Sequence, residues 1–172
     1  AEKARDYLKK NGFYTSTLSA LGNIIEPDNH KFKNFRNTEV MFGEFSGVIP
    51  ERIPYEVDNL VTRINFDENT HPILKAIDTN LEFIRIHPYS DGNGRSARII
   101  QDDLLERYNY PSPIIPEGEK EFYIDLMRFT MRDRRDGKSD LYNPSNPEKL
   151  LQDFISTKIL DSAMNIEEQL QK

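Results

Sequence analysis

The sequence predicts a mainly α-helical protein of one domain, interrupted by a single small β-hairpin. Three observations predict it. Apolar residues recur every three or four positions along most of the chain, the spacing of helices that bury one face. One region alone carries two short β-prone runs around a glycine-containing turn. At 172 residues the chain fits one hydrophobic core and falls short of the usual size for two, so residues 1–172 are read as one domain.

Composition narrows the function classes. A chain with 37% hydrophobic and 30% charged residues, including 10 Phe and 8 Tyr, is globular rather than disordered. No apolar run approaches the roughly 20 residues that span a bilayer, so no membrane span is expected. The net charge of −6 argues against a nucleic-acid partner, because neutralising many phosphates needs a basic face. The one arginine-dense stretch, "MRDRRDGK", is broken by aspartates and reads as a solvated helix end. The absence of cysteine excludes disulfides, thiolate nucleophiles and cysteine metal sites. The amino end "AEKARDYLKK" lacks the apolar centre of a signal peptide; it also lacks an initiator Met, which leaves any preceding sequence open.

Residues 2–10 have helical patterning that stops at Asn11-Gly12, a pair suited to a left-handed C-cap. A short helix follows near residues 16–23, then a polar loop from Glu26 to Thr38 around Pro27-Asp28-Asn29. "TEVMFGEFSGVIP" supplies the hairpin, with strands expected at Val40–Phe42 and Val48–Ile49. Pro54 sits in the first turn of a helix that points Val57, Leu60, Val61 and Ile64 inward. Thr70 is expected to cap the next helix, with Ile73, Ile77, Leu81 and Ile84 facing the core and an end just before His87. A further helix opens near Gly94, buries Ala97, Ile100, Leu104 and Tyr108, and stops at "NYPSP". Two more helices are expected, over residues 117–135 with Phe122, Leu126 and Phe129 inward, and over residues 147–171 with Leu151, Phe154, Ile155, Ile159 and Ile166 inward.

The chemistry concentrates between the two central helices, in "RIHPYSDGNGRSARII", residues 85–100. A glycine-bearing loop that opens a helix presents unpaired backbone N–H groups and binds anions. Arg95 and Arg98, three apart in the first turns, reach one side of that loop as bidentate phosphate clamps. The helix dipole disfavours cations there, so an anionic ligand is expected to offset the cost. Asp91 and phosphate repel each other unless Mg²⁺ lies between them. His87, with a pKa near neutrality, is placed to accept a proton from a hydroxyl. Asn93 offers an amide donor to a phosphate oxygen on which charge develops. Each feature alone is more often structural; together, in order, they point to attack of a hydroxyl on a nucleotide phosphate. A P-loop and a zinc site do not fit, since "GxxxxGK" is absent and the three histidines, His30, His71 and His87, have no ligand spacing.

"HPYSDGNGRSAR" closely resembles the signature of the Fic family, His-Pro-Phe-x-Asp/Glu-Gly-Asn-Gly-Arg-x-x-Arg, with Tyr89 in place of Phe. That Tyr keeps an anchoring ring, but its hydroxyl needs a partner or an exit to solvent. "FRNTEVMFGEFSGVIPERIPYEVDNLV" is similar to the segment that leads into the family's hairpin and its Pro-started helix, so the signature-bearing core covers about residues 35–108. The resemblance implies a Fic-like helical domain with a small β-hairpin flap over the active-site loop, and the AMP-transferring type of activity. An Mg²⁺-dependent protein adenylyltransferase is implied, moving AMP from ATP to a Tyr, Thr or Ser hydroxyl of a target protein and releasing pyrophosphate.

In that scheme His87 is the base and Asp91 the metal ligand. Gly92, Asn93 and Gly94 cradle the nucleotide phosphates, while Arg95 and Arg98 grip the outer ones. The flap residues Val40, Met41, Phe42 and Val48 position the target by strand addition. The alternatives are transfer of another nucleotide or phosphate moiety, and a non-catalytic nucleotide- or peptide-binding module. A cytoplasmic location, or delivery into a host cytoplasm, is expected. Many members silence themselves through Ser/Thr-x-x-x-Glu, whose glutamate pairs with the second signature arginine, here Arg98. No Ser or Thr of this chain is followed four positions later by Glu, and Glu167 and Glu168 read as a solvated helix end. The chain is therefore expected to be uninhibited by itself, with any brake in a separate, antitoxin-like protein or in sequence before Ala1.

Overall fold

The computed structural model describes residues 2–27 and 34–171. Among them run seven α-helices and one two-stranded sheet: α1 (Glu2–Asn11), α2 (Thr15–Ile25), β1 (Met41–Phe42), β2 (Phe45–Ser46), α3 (Ile53–Phe66), α4 (Pro72–Ile86), α5 (Asn93–Arg107), α6 (Lys120–Arg135) and α7 (Asn146–Leu170). The expected fold class is thus observed. Of the polar loop expected over residues 26–38, residues 28–33 lie outside the described residues, as does His30.

The paired helices α4 and α5 form the centre. Helices α1 and α2 pack on the α5 side, whereas α3, α6 and α7 pack on α4. Helix α1 ends as its sequence dictates: Gly12 takes a left-handed φ of 70° and returns its N–H to the Leu8 carbonyl at 2.8 Å. Helix α3 buries Val57, Leu60, Val61 and Ile64, the stripe expected of it. Among the described residues no helix is long and apolar enough to cross a membrane.

Four local expectations are corrected. The strands lie closer to the turn than Val40–Phe42 and Val48–Ile49, because Phe42 pairs with Phe45 across a tight turn at Gly43, whose φ is 59°. Val48 instead sends its N–H to the Ile86 carbonyl at 3.2 Å, which draws it out of the ladder and onto the core. The cap of α4 is His71 rather than Thr70: Nδ1 of His71 accepts from the Ile73 N–H at 3.3 Å, while the Thr70 hydroxyl is held by Asp67 at 2.5 Å. Tyr108, Phe122, Phe129 and Ile166 are substantially exposed rather than inward-facing.

The fourth correction concerns "MRDRRDGK", which is not simply a solvated end. Arg134 is buried, and its guanidinium pairs with Asp78 and Glu82 of α4, each at 2.8 Å, and with Glu148 of α7. This cluster takes the inner face of α6, with Leu126, Thr130 and Met131, and leaves Phe122 and Phe129 outside. Helical spacing cannot reveal it, because its acidic members lie far away in sequence. We expect Arg134→Met to destabilise the protein by about 3–5 kcal/mol, since buried carboxylates lose their counterion. Urea unfolding measures this, and a loss below about 1 kcal/mol, the scale of a surface ion pair, would mean the cluster is solvated.

Candidate active site

The site is built at the joint between α4 and α5. Leaving α4, the chain turns at His87, a non-glycine residue held in the left-handed conformation at φ 53° and ψ 58°. Such a conformation costs on the order of 1–3 kcal/mol and persists only where neighbours impose it. The neighbours are visible. Buried Arg36 donates from Nε to the His87 carbonyl at 2.7 Å and from its other nitrogens to the carbonyls of Thr38 and Val48. The Arg36 main-chain N–H donates to the Pro88 carbonyl at 2.9 Å.

Tyr89 drives its ring fully into the core, against Phe83 at 5.5 Å between centroids and Phe35 at 6.3 Å. Its hydroxyl donates to the Leu18 carbonyl of α2, which supplies the partner this Tyr requires. Burial pushes the phenol well above its ordinary range. A Cβ at Gly22 would lie 2.8 Å from the ring, so α2 must carry a glycine there.

Asn93 is buried, and its carboxamide closes a ring with Tyr89: Oδ1 accepts the Tyr89 N–H at 2.9 Å and Nδ2 donates to the Tyr89 carbonyl at 2.8 Å. Its first task is therefore to shape the loop; one amide hydrogen is committed there, and only the other is left for a phosphate oxygen. Gly92, at φ 79°, caps α5, and a Cβ there would lie 3.0 Å from the Glu26 side chain. Asp91 accepts the Gly92 N–H at 2.6 Å and has a mostly exposed carboxylate.

His87 is partly buried. Its Nδ1 lies 3.2 Å from the Ile84 carbonyl, and its ring stacks on Phe42 of β1, with centroids 4.0 Å apart and planes 3° apart. A carbonyl only accepts, so Nδ1 carries the hydrogen and Nε2 keeps its lone pair. Burial lowers the imidazole pKa most; the Ile84 carbonyl raises it, the Arg36 charge lowers it and Asp91 raises it.

These residues line a cleft of about 420 Å³ that brings together Met41, His87, Asp91, Gly92, Asn93, Gly94, Arg95 and Arg98. The loop residues expected from the sequence are all present, with Met41 from the flap; the Phe42 ring stacks on His87 but does not itself line the cleft. Val40 and Val48 do not line the cleft; they flank the hairpin, with the Gly47 N–H donating to the Val40 carbonyl at 3.1 Å. Arg95 is engaged by Glu26, just beyond the end of α2, and its Nη2 lies 3.9 Å from Asp91. That glutamate was not anticipated, because nothing in its local sequence announces a contact with Arg95. Arg98 is exposed and makes no ion pair among the described residues. Glu167 and Glu168 are exposed at the far end of α7 and line no part of this cleft. Arg36 was the other residue missed, since its carbonyl partners are distant in sequence.

A helical domain with this loop, flap and joint defines the Fic class, and the chain belongs to the Fic/DOC family, whose model matches residues 15–105. A protein adenylyltransferase fic-1 of Caenorhabditis briggsae is 34% identical over 104 residues, covering 58% of this chain and 20% of that protein. A protein adenylyltransferase Fic of Culex quinquefasciatus is 34% identical over 100 residues, covering 55% of this chain and 19% of that protein. The matched stretch thus spans about a fifth of these relatives. A crystal structure of a Fic-domain-containing signalling protein from Bacteroides thetaiotaomicron superimposes with a TM-score of 0.72 at 27% identity, covering 94% of this chain and 64% of that one.

Enclosure of His87 carries a consequence for its titration. Followed by imidazole NMR, its midpoint should fall below the ordinary value of 6.5, leaving the ring neutral and basic at pH 7. A midpoint at or above 6.5 would show that burial does not outweigh the Ile84 carbonyl and Asp91, and would overturn this expectation.

Proposed function

We propose that this chain is a protein adenylyltransferase that moves AMP from ATP to a hydroxyl side chain of a target protein. The observation that carries the reading is an imidazole with Nδ1 on the Ile84 carbonyl, held at the rim of a glycine-turned helix N-terminus that also bears two arginines. The named activity of the relatives in Caenorhabditis briggsae and Culex quinquefasciatus supports it.

The chemistry follows from the residues. Nε2 of His87 takes the proton as the target hydroxyl oxygen attacks the α-phosphorus. The bond from that phosphorus to the bridging oxygen breaks, and pyrophosphate leaves. N–H groups at the start of α5 face the phosphate oxygens as charge builds on them, and Gly92 and Gly94 keep side chains out of their way. Arg98 grips an outer phosphate, and Arg95 does so once ATP draws it from Glu26.

Asp91 is the residue that would hold Mg²⁺. Its carboxylate is mostly exposed beside the cradle. That suits a hard cation which takes one protein carboxylate and fills its shell from phosphate and water oxygens. When bound, Mg²⁺ neutralises phosphate charge and helps pyrophosphate to leave. The flap edge at β1 is left to receive the target main chain as an added strand.

Two substitutions test this. His87→Ala should lower transfer by roughly 10²- to 10⁴-fold while ATP binding, measured by calorimetry, persists. Near-full activity would remove His87 from the base role. Asp91→Ala should abolish the gain in ATP affinity that Mg²⁺ gives the intact protein. An intact protein whose ATP affinity ignores EDTA would overturn the assignment of Asp91.

A further inference from the structure

Phe42 has a more specific part than membership of the flap. A base at the end of a helix must be aimed as well as neutral, and the bond from His87 Nδ1 to the Ile84 carbonyl is long at 3.2 Å, so by itself it aims the ring loosely. The face of the imidazole is fixed separately. Phe42 lies on it at 4.0 Å with the planes 3° apart, an alignment in which rotation of the imidazole about its own side-chain torsions would drive it into the Phe ring.

Phe42 is itself held in place. It pairs with Phe45, whose buried ring lies 5.8 Å from its own. Phe45 is covered by the Arg135 guanidinium of α6 at 5.3 Å, and the turn residue Glu44 is bonded to Arg132 of α6 at 2.6 Å. On the inner side Arg36 clamps the hairpin to the His87 carbonyl. Gly47 makes the approach feasible, since a Cβ there would run into Arg36 and come within 3.1 Å of the His87 Cβ.

We propose that Phe42 is a positioning residue for the base, whose ring holds the His87 imidazole with Nδ1–H on the Ile84 carbonyl and Nε2 turned to the cleft. This rests on His87 acting as the base. It differs from a role in holding the target, which strand addition assigns to the main chain of β1 and not to this side chain. The charged groups that act on the same imidazole are Arg36, from the segment before β1, and Asp91, from the loop. Removal of Phe42 leaves both in place. It admits water to the ring, which relieves desolvation and favours imidazolium, and it removes an aromatic face that also favours imidazolium, which disfavours it. These effects on titration oppose each other, so orientation and tautomer are the quantities to read.

The test uses the full chain with Phe42→Ala, Phe42→Leu and Phe42→Tyr, and NMR of His87 without any ligand. In the unaltered protein the His87 ring protons should be shifted upfield by the stacked ring, with nitrogen shifts of a single Nδ1–H tautomer. Alanine and leucine should abolish the upfield shift and mix the tautomers while other resonances stay in place, and tyrosine should retain both signatures. With ATP and Mg²⁺, the maximal rate of self-modification should fall about tenfold or more for alanine and leucine, with ATP half-saturation within about twofold, and tyrosine should recover most of the rate. Unchanged His87 ring shifts and tautomer in Phe42→Ala, or leucine supporting the rate as well as phenylalanine, would overturn the proposal. If the NMR series behaves as described but the unaltered protein transfers no AMP, the stack stands and the proposed function fails.

Discussion

The rest of the site depends on the ring that Asn93 closes with the backbone of Tyr89. The chain must leave α4 at Ile86 and enter α5 at Asn93 while those helices stay packed along one another. A loop this short leaves its amides buried and in need of partners. The Asn93 carboxamide supplies one donor and one acceptor to a single residue, and the Tyr89 ring below it pins the loop to α2 through Gly22 and Leu18. With Tyr89 fixed, His87 on one side and Gly92 on the other are both forced to positive φ. The first places the imidazole at the end of α4 and the second opens the amides of α5, so the proposed base and the proposed anion cradle are consequences of one joint.

The flap is tied to that joint. Arg36 spends its guanidinium on carbonyls of His87, Thr38 and Val48, which welds the hairpin to the end of α4. A buried arginine is tolerable because each of its three guanidinium nitrogens donates to a carbonyl, although burial lowers its pKa against the raising influence of Glu39. Beneath, Arg134 draws α4, α6 and α7 together through Asp78, Glu82 and Glu148. The same helix α6 reaches the hairpin turn through Arg132. The surface under the base and the roof over it are thus braced by neighbouring arginines of one helix.

Much of this was legible in the sequence. Helix α3 declared itself through an unbroken stripe and a Pro in its first turn, and α5 through the motif that opens it. The loop residues His87, Asp91, Gly92, Gly94, Arg95 and Arg98 could be assembled because they are neighbours in the chain. What stayed hidden depends on contacts between distant segments. Arg36 reads as an ordinary polar residue until the carbonyl of His87 is beside it, Glu26 until Arg95 is, and Arg134 until three carboxylates surround it. In the sequence Asn93 reads only as a phosphate donor, because its partner, the backbone of Tyr89, has no signature of its own. The outward Phe122 and Phe129 show the same limit: periodicity marked α6 as helical, but the buried charge decided which face turned in.

In the proposed function, His87 over the amides that open α5 serves in-line attack at the innermost phosphate, with the outer phosphates gripped by arginines as the leaving group. The position of the bond that breaks is therefore the central claim. Incubation of the full chain with Mg²⁺ and ATP labelled at either the α- or the γ-phosphate tests it most directly, read as label retained on protein after denaturing separation. Retention of the α label with none of the γ label is the result this geometry predicts; retention of the γ label would contradict it and assign phosphoryl transfer instead.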